Sequence, residues 1–178
     1  EDWSRTTLTR IAERAEASGF LALLTETDAG ARLDEGKAKD LASAFAGYLE
    51  AARKAGYADC TPGRFLLPGD LAGSPALTFA PLHLARAPGR GSLGREFARR
   101  FEAYKDKVVR PFFREHFARI DRQIVLTDTL GALHAGPRAV EDLRQAMSAI
   151  LSAFRPGRTG WLASMLGQRR IERILFAA

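Results

Sequence analysis

Asp121-Arg122-Gln123-Ile124-Val125-Leu126-Thr127-Asp128 is the stretch on which the fold turns. Charged and polar residues lead into three consecutive apolar side chains, two of them β-branched, and the run closes on a threonine and an acid. It is too short to stand as a helix. Its polar flanks suit a strand buried on both faces of a parallel sheet. Asp128 then falls at the strand's carboxyl end, the edge on which open α/β sheets hold their ligands. A second run, Ile171-Glu172-Arg173-Ile174-Leu175-Phe176-Ala177-Ala178, has the same character, and the segment between the two has helical period. Residues 121–178 therefore read as strand, helix, strand: a piece of a nucleotide-binding type of sheet.

Outward from this piece the punctuation is clear. Gly136-Pro137 opens a helix over about 138–154, with Val140, Leu143, Met147, Ile150, Leu151 and Phe154 as its core stripe. Arg155-Pro156-Gly157 ends it, and Trp161, Leu162, Met165 and Leu166 mark one more short helix. Upstream, Ser92 can cap a helix from Leu93 to Val109, with Phe97, Phe101, Tyr104 and Val108 on one side. Pro111 cannot continue that helix unperturbed, so a kink or a fresh first turn is expected there. Phe112, Phe113, Phe117 and Ile120 then carry a short helix into the strand.

Residues 61–91 form an irregular Pro/Gly-rich strap. Prolines and glycines break every candidate helix, yet Phe65, Leu66, Leu67, Leu77 and Phe79 are too apolar for a free linker and predict buried anchors. Residues 1–60 read as a helical subdomain. One helix covers 3–24, ended or bent at Gly19; Thr25 to Gly36 is a loop; an amphipathic helix covers 37–55. On that helix Leu41, Phe45, Tyr48, Leu49 and Ala52 share a face, and Gly56 stands where a C′ glycine belongs. The chain thus divides into 1–60, 61–91 and 92–178, the last being part of an α/β core.

The totals bound the function. At 178 residues with 46% hydrophobic and 27% charged residues, the chain belongs with globular proteins rather than disordered ones. Its apolar runs are far shorter than a membrane span. Glu1-Asp2-Trp3-Ser4 has neither the basic n-region nor the apolar core of a signal peptide, and without an initiator Met the chain reads as an internal piece of something longer. A single cysteine, Cys60, forms no internal disulfide, and a reducing cytoplasm is the simplest compartment. A formal charge of +6 and a pI near 10.0 invite a polyanion partner. Arginine, however, far outnumbers lysine, and the basic residues are scattered among acids in every segment. Nucleic acid is not expected as a partner. Pairs such as Arg99-Arg100 and Arg169-Arg170 read as solvated helix or loop ends.

Asp128 is the one candidate for cofactor binding. A hydrophobic strand ending in Asp is the Walker B pattern, where a carboxylate holds Mg²⁺ directly or through water because a hard cation takes oxygen ligands. A second acid at the next position would favour ATP hydrolysis, but Thr129 stands there. The other reading makes Asp128 an Asx-turn or cap in the loop after the strand. Neither G-x-x-x-x-G-K-[ST] nor G-x-G-x-x-G occurs in the 178 residues, so this chain alone is expected to bind nucleotide poorly. His83, His116 and His134 lie in separate segments without ligand spacing, and Ser74 sits in Gly-Ser-Pro rather than in a nucleophile elbow. No catalytic residue and no metal-ligand set is assigned. Trp3 and Trp161 are read as packing anchors, and the Phe97–Phe117 aromatics as core rather than a base-stacking platform.

Several stretches together resemble the YcjX-like family of stress-associated P-loop NTPases. They are Pro62-Gly63-Arg64-Phe65-Leu66-Leu67-Pro68-Gly69-Asp70-Leu71, Phe101-Glu102-Ala103-Tyr104-Lys105, and Val109-Arg110-Pro111-Phe112-Phe113-Arg114-Glu115-His116-Phe117. The run Asp121 to Asp128, Phe154-Arg155-Pro156-Gly157-Arg158 and Ile174-Leu175-Phe176-Ala177-Ala178 complete the set. The resemblance covers 61–178 well and the helical start more loosely. It implies an α/β architecture, a partial Ras-like P-loop NTPase parallel sheet with a large, mainly helical insertion, in a GTP-binding and GTP-hydrolysing protein linked to heat-shock or envelope stress. GTP, or ATP in its place, and Mg²⁺ are the cofactors it implies for the complete protein. By the resemblance, the phosphate loop and a switch II-like acid-x-Pro-Gly lie upstream of Glu1, and a base-reading Thr-Lys-Ala-Asp begins after Ala178. None of these contacts maps onto residues 1–178. Asp128 matches the acid after the family's central strand, where it shapes the sheet edge rather than binding Mg²⁺ directly. The alternative from the residues is a non-enzymatic helical interaction module whose exposed faces bind a partner protein or, peripherally, a membrane surface.

Overall fold

The computed structural model describes residues 2–57, 74–84, 88–111, 114, 122–154 and 173–177. The fold is mixed and helix-rich, with a small two-stranded parallel sheet. Two compact units share the chain: Glu1–Ala55 with Cys60–Lys105, and Gly56–Asp59 with Asp106–Ala178.

The first unit is built on helices α1 (Asp2–Ile11), α2 (Ser18–Thr25), α3 (Glu35–Lys54) and α4 (Leu93–Tyr104). The sequence predicts one helix to Gly19, but α1 stops at Ile11 and Gly19 lies inside α2. Arg14 breaks the run: it takes extended backbone, and its buried guanidinium donates to the Tyr48 hydroxyl at 3.0 Å. A partner 34 residues away leaves no trace in local periodicity.

Helix α3 follows the expected pattern. Asp34 caps it, accepting from the amides of Gly36 and Lys37 at 2.8 and 3.1 Å. Gly56 follows the C-terminus with φ +88°, a conformation any other residue would resist. Leu41, Phe45, Tyr48, Leu49 and Ala52 are all buried. Each large apolar side chain so removed from water contributes about 1.5–3 kcal/mol.

The described part of the strap supplies anchors as predicted. Phe79, Ala80, Pro81 and Leu82 are buried, and Phe79 meets Trp3 at 5.9 Å and Phe101 at 5.5 Å between ring centroids. Trp3 stacks on Phe101 at 4.5 Å and stands edge-on to Phe45. Trp3 is thus the packing anchor its sequence position suggested, and Phe97, Phe101 and Tyr104 belong to the packed interior of this unit. Phe65 to Leu67, Trp161 and the helix expected around 112–120 lie outside the described residues.

Ser92 caps α4, accepting from the Arg95 amide at 3.3 Å. The amides of Leu93 and Gly94 at the same end donate to the carbonyls of Ala31 and Ala29, so the loop after α2 completes the α4 terminus. Helix α4 ends sooner than predicted. Lys105–Val109 winds as a π-helix, one turn ahead of Pro111. Arg110 and Pro111 follow in helical backbone, and Pro111, which has no N–H, cannot donate to the Lys107 carbonyl.

In the second unit β1 (Arg122–Leu126) and β2 (Arg173–Ala177) pair in parallel, with Ile124 opposite Leu175 and Leu126 opposite Ala177. Helices α5 (Thr129–Ala135) and α6 (Pro137–Phe154) lie between them in sequence and pack on one another. Strand, helix, strand is therefore the order found, and Gly136-Pro137 does open α6. The expected burial of both strand faces is not found. Ile124, Leu126 and Leu175, all on one face, are 65, 81 and 59% exposed, while Gln123 and Val125 on the other are half-buried. Among the described residues the sheet has two strands only, too few to carry a layer on each side. The α6 stripe is open as well: Leu143 and Met147 are half-buried, but Val140 and Leu151 are exposed.

Candidate functional site

The carboxyl ends of β1 and β2 share one edge because the strands run parallel. There the ladder gains one more bond: the Thr127 amide donates to the Ala177 carbonyl at 2.8 Å, and the Thr127 hydroxyl reaches the same oxygen at 3.2 Å. The Thr127 and Thr129 hydroxyls stand 3.1 Å apart. Asp128 lies between them on the exposed edge.

Its carboxylate is the N-cap of α5. Asp128 Oδ1 accepts from the Gly131 amide at 2.8 Å, which satisfies one of the free donors of the first turn. Gly131 is required by this arrangement, since a Cβ there would fall inside contact distance of the Asp128 carboxylate. Both readings of the residue met at this position, and the geometry gives the capping contact directly.

One exposed carboxylate, with an oxygen committed to a helix cap and flanked by two hydroxyls, does not build a nucleotide site. Among the described residues no three His, Cys, Asp or Glu are grouped to hold a metal ion. His83 and His134 are exposed and separate, and Cys60 and His116 lie outside the described residues. The described residues therefore do not by themselves fit GTP and Mg²⁺.

Among the described residues an electrostatic centre that the residue pattern was not read as forming lies in the first unit. Arg99-Arg100 reads as a solvated pair, and Arg99 is indeed exposed on Glu96, but Arg100 is 4% exposed. The Arg100 guanidinium donates to Glu96 Oε1 at 2.8 Å, to Glu35 Oε1 at 2.6 Å and to the Thr78 carbonyl at 3.2 Å. Three segments of the first unit converge on one cation. The Arg99 hydrogen bond, followed by that of Arg100, holds the Glu96 carboxyl down at about 2 against the opposing effect of burial. A signal existed: Arg100 falls on the stripe of Phe97, Phe101 and Tyr104, four residues after Glu96. The arrangement holds helices together and presents no open position to a ligand.

Comparison with known proteins extends these observations. The sequence model of the YcjX-like family, DUF463, matches residues 1–178. Over 176 residues the chain is 38% identical to the Ras-like GTPase YcjX of Escherichia coli, which covers 93% of this chain and 37% of that protein. Over 189 residues it is 34% identical to the Ras-like GTPase YcjX of Shewanella oneidensis, covering 99% of this chain and 39% of that protein. The chain thus spans less than two-fifths of the length of either relative.

Proposed function

Because the chain belongs to the YcjX-like family, we propose that residues 1–178 are the middle of a GTP-binding and GTP-hydrolysing protein. In this reading β1 and β2 are neighbouring strands of a Ras-like P-loop sheet. Residues 1–60 are a helical insertion, 61–91 a strap, and 92–178 part of the nucleotide-binding core. GTP and Mg²⁺ are held by segments outside 1–178. A positioned water and backbone amides around the phosphates would carry the hydrolytic step there. Asp128 shapes the sheet edge beside that site through its cap on α5. A cytoplasmic protein responding to heat-shock or envelope stress is the cellular role that goes with the reading.

The observation that supports it is the parallel β1–β2 pairing with Asp128 at its carboxyl edge, in a chain similar to proteins named Ras-like GTPases. The test is direct. The coding region on both sides should carry G-x-x-x-x-G-K-[ST] before Glu1 and Thr-Lys-x-Asp after Ala178. The complete protein should then bind a fluorescent GTP analogue in the presence of Mg²⁺, while the 178-residue chain alone should not. A complete protein without the phosphate loop, or one that fails to bind GTP, would leave the helical interaction module as the reading to pursue.

A further inference from the structure

Both lone pairs of the Ala177 carbonyl, at the end of β2, are filled by one residue: the Thr127 amide donates at 2.8 Å and the Thr127 hydroxyl at 3.2 Å. The ladder needs only the amide, so the hydroxyl is an addition. It has a single proton to give. With that proton on Ala177, the 3.1 Å contact between the Thr127 and Thr129 hydroxyls is donated by Thr129. The two hydroxyls then run as a directed chain from the first residue of α5 to the last residue of β2. A peptide unit is planar, so an oxygen held by two donors sets the course on which the chain leaves the strand. It leaves at the carboxyl edge, where open α/β sheets hold their ligands. Ligand-binding loops are drawn from the less stable parts of a fold, and a second bond at the base of one bears on how well it is ordered.

We infer that Thr127 is a positioning residue for bound nucleotide: its hydroxyl holds the Ala177 carbonyl and so orients the segment that follows β2. The inference rests on the proposed function, in which the segment after Ala178 meets the guanine base. Thr127 itself touches no nucleotide in this account. Its methyl group and its amide are not what matters; the hydroxyl is, and that makes the role separable from strand pairing.

The test is made in the complete protein, by titration with a fluorescent GTP analogue in the presence of Mg²⁺. Thr127→Val keeps the shape and the amide and removes the hydroxyl. It should weaken binding about 3- to 10-fold, the range that one lost hydrogen bond spans, mostly through faster dissociation. Thr127→Ser restores the hydroxyl and should bind as tightly as the parent. Thr127→Ala also lacks the hydroxyl and should match Thr127→Val, which keeps the test open if the valine protein fails to fold. Thr25→Val is the control: it removes a 2.8 Å bond from a threonine hydroxyl to the Leu21 carbonyl of α2, and should cost stability without changing affinity. Parent-like affinity in Thr127→Val, with the parent binding GTP, would overturn the inference and leave the proposed function standing. Binding by Thr127→Ser as weak as that of Thr127→Val would also overturn it, since the hydroxyl would then not be the cause. A parent that binds no GTP would sink the proposed function, and this inference with it.

Discussion

Arg100 on α4 donates to Glu35 in the first turn of α3 at 2.6 Å, joining two helices across 65 residues of sequence. The same guanidinium holds Glu96 and the Thr78 carbonyl, so its fork is divided among three segments. Removing one partner of a buried ion pair costs about 3–5 kcal/mol, because a charge or carbonyl is left unpaired. Arg100→Leu should lower the unfolding free energy of the first unit by that amount, measured by urea denaturation followed by circular dichroism. Arg100→Lys should recover only part, since an ammonium lacks the planar fork. Glu35→Gln should cost less than about 1 kcal/mol, because the Glu35 side chain is half-exposed.

Acid should weaken the same hub. Folding lowers the Glu96 carboxyl from an ordinary value near 4.5 to about 2, so its charged form is favoured in the folded state. Its contribution is fully present above about pH 4.5 and is lost as pH falls towards 2. Glu96→Gln should therefore flatten the fall in stability between those values. Glu141 is also held down at about 2, by Arg144 first and Gln145 second, but its side chain is half in solvent, where the pair is screened. Glu141→Gln should change the acid limb less than Glu96→Gln does, because solvent screens its pair; an equal effect of the two substitutions would show that burial of the hub is irrelevant.

Phe45 is 4% exposed and touches Phe20, Tyr48 and Trp3. Phe45→Ala should cost about 3–5 kcal/mol through lost burial and the cavity left behind. Because Trp3 stands edge-on to the same ring, its fluorescence should shift to the red as water gains access. Phe45→Leu should cost less than Phe45→Ala and leave the emission nearer the parent.

Asp128 offers a separation of roles. Asp128→Ala should remove about 0.5–2 kcal/mol of support from α5, seen as faster hydrogen exchange at the Gly131 amide. Asp128→Asn keeps an oxygen for the cap and should leave that exchange rate unchanged while removing the charge. Loss of Mg²⁺-dependent GTP binding in the complete protein carrying Asp128→Asn would make the carboxylate a metal contact; retention would make it a cap alone. Gly131→Ala should reproduce the Asp128→Ala exchange behaviour, since the added methyl displaces the capping carboxylate.

Much of the chain's local architecture followed from short-range chemistry. The α3 stripe, the Ser92 cap, the Gly56 terminus, Gly136-Pro137 and the extended segments around Ile124 and Ile174 depend on residues close to one another in sequence, although the parallel pairing of those segments does not. Family membership was equally legible, carried by short strings in a fixed order. Asp128 was placed correctly at the end of its strand, and its two readings differed only in what its oxygens meet.

Tertiary structure decided the rest. The break at Arg14, the burial of Arg100 and the openness of Ile124 and Leu126 each turn on a distant group: Tyr48 at 34 residues, Glu35 at 65, and the presence or lack of a layer over the sheet. Periodicity reports which face of an element is apolar. Whether that face, or a charge set upon it, is taken out of water depends on what the rest of the chain brings against it, and only the folded molecule supplies that.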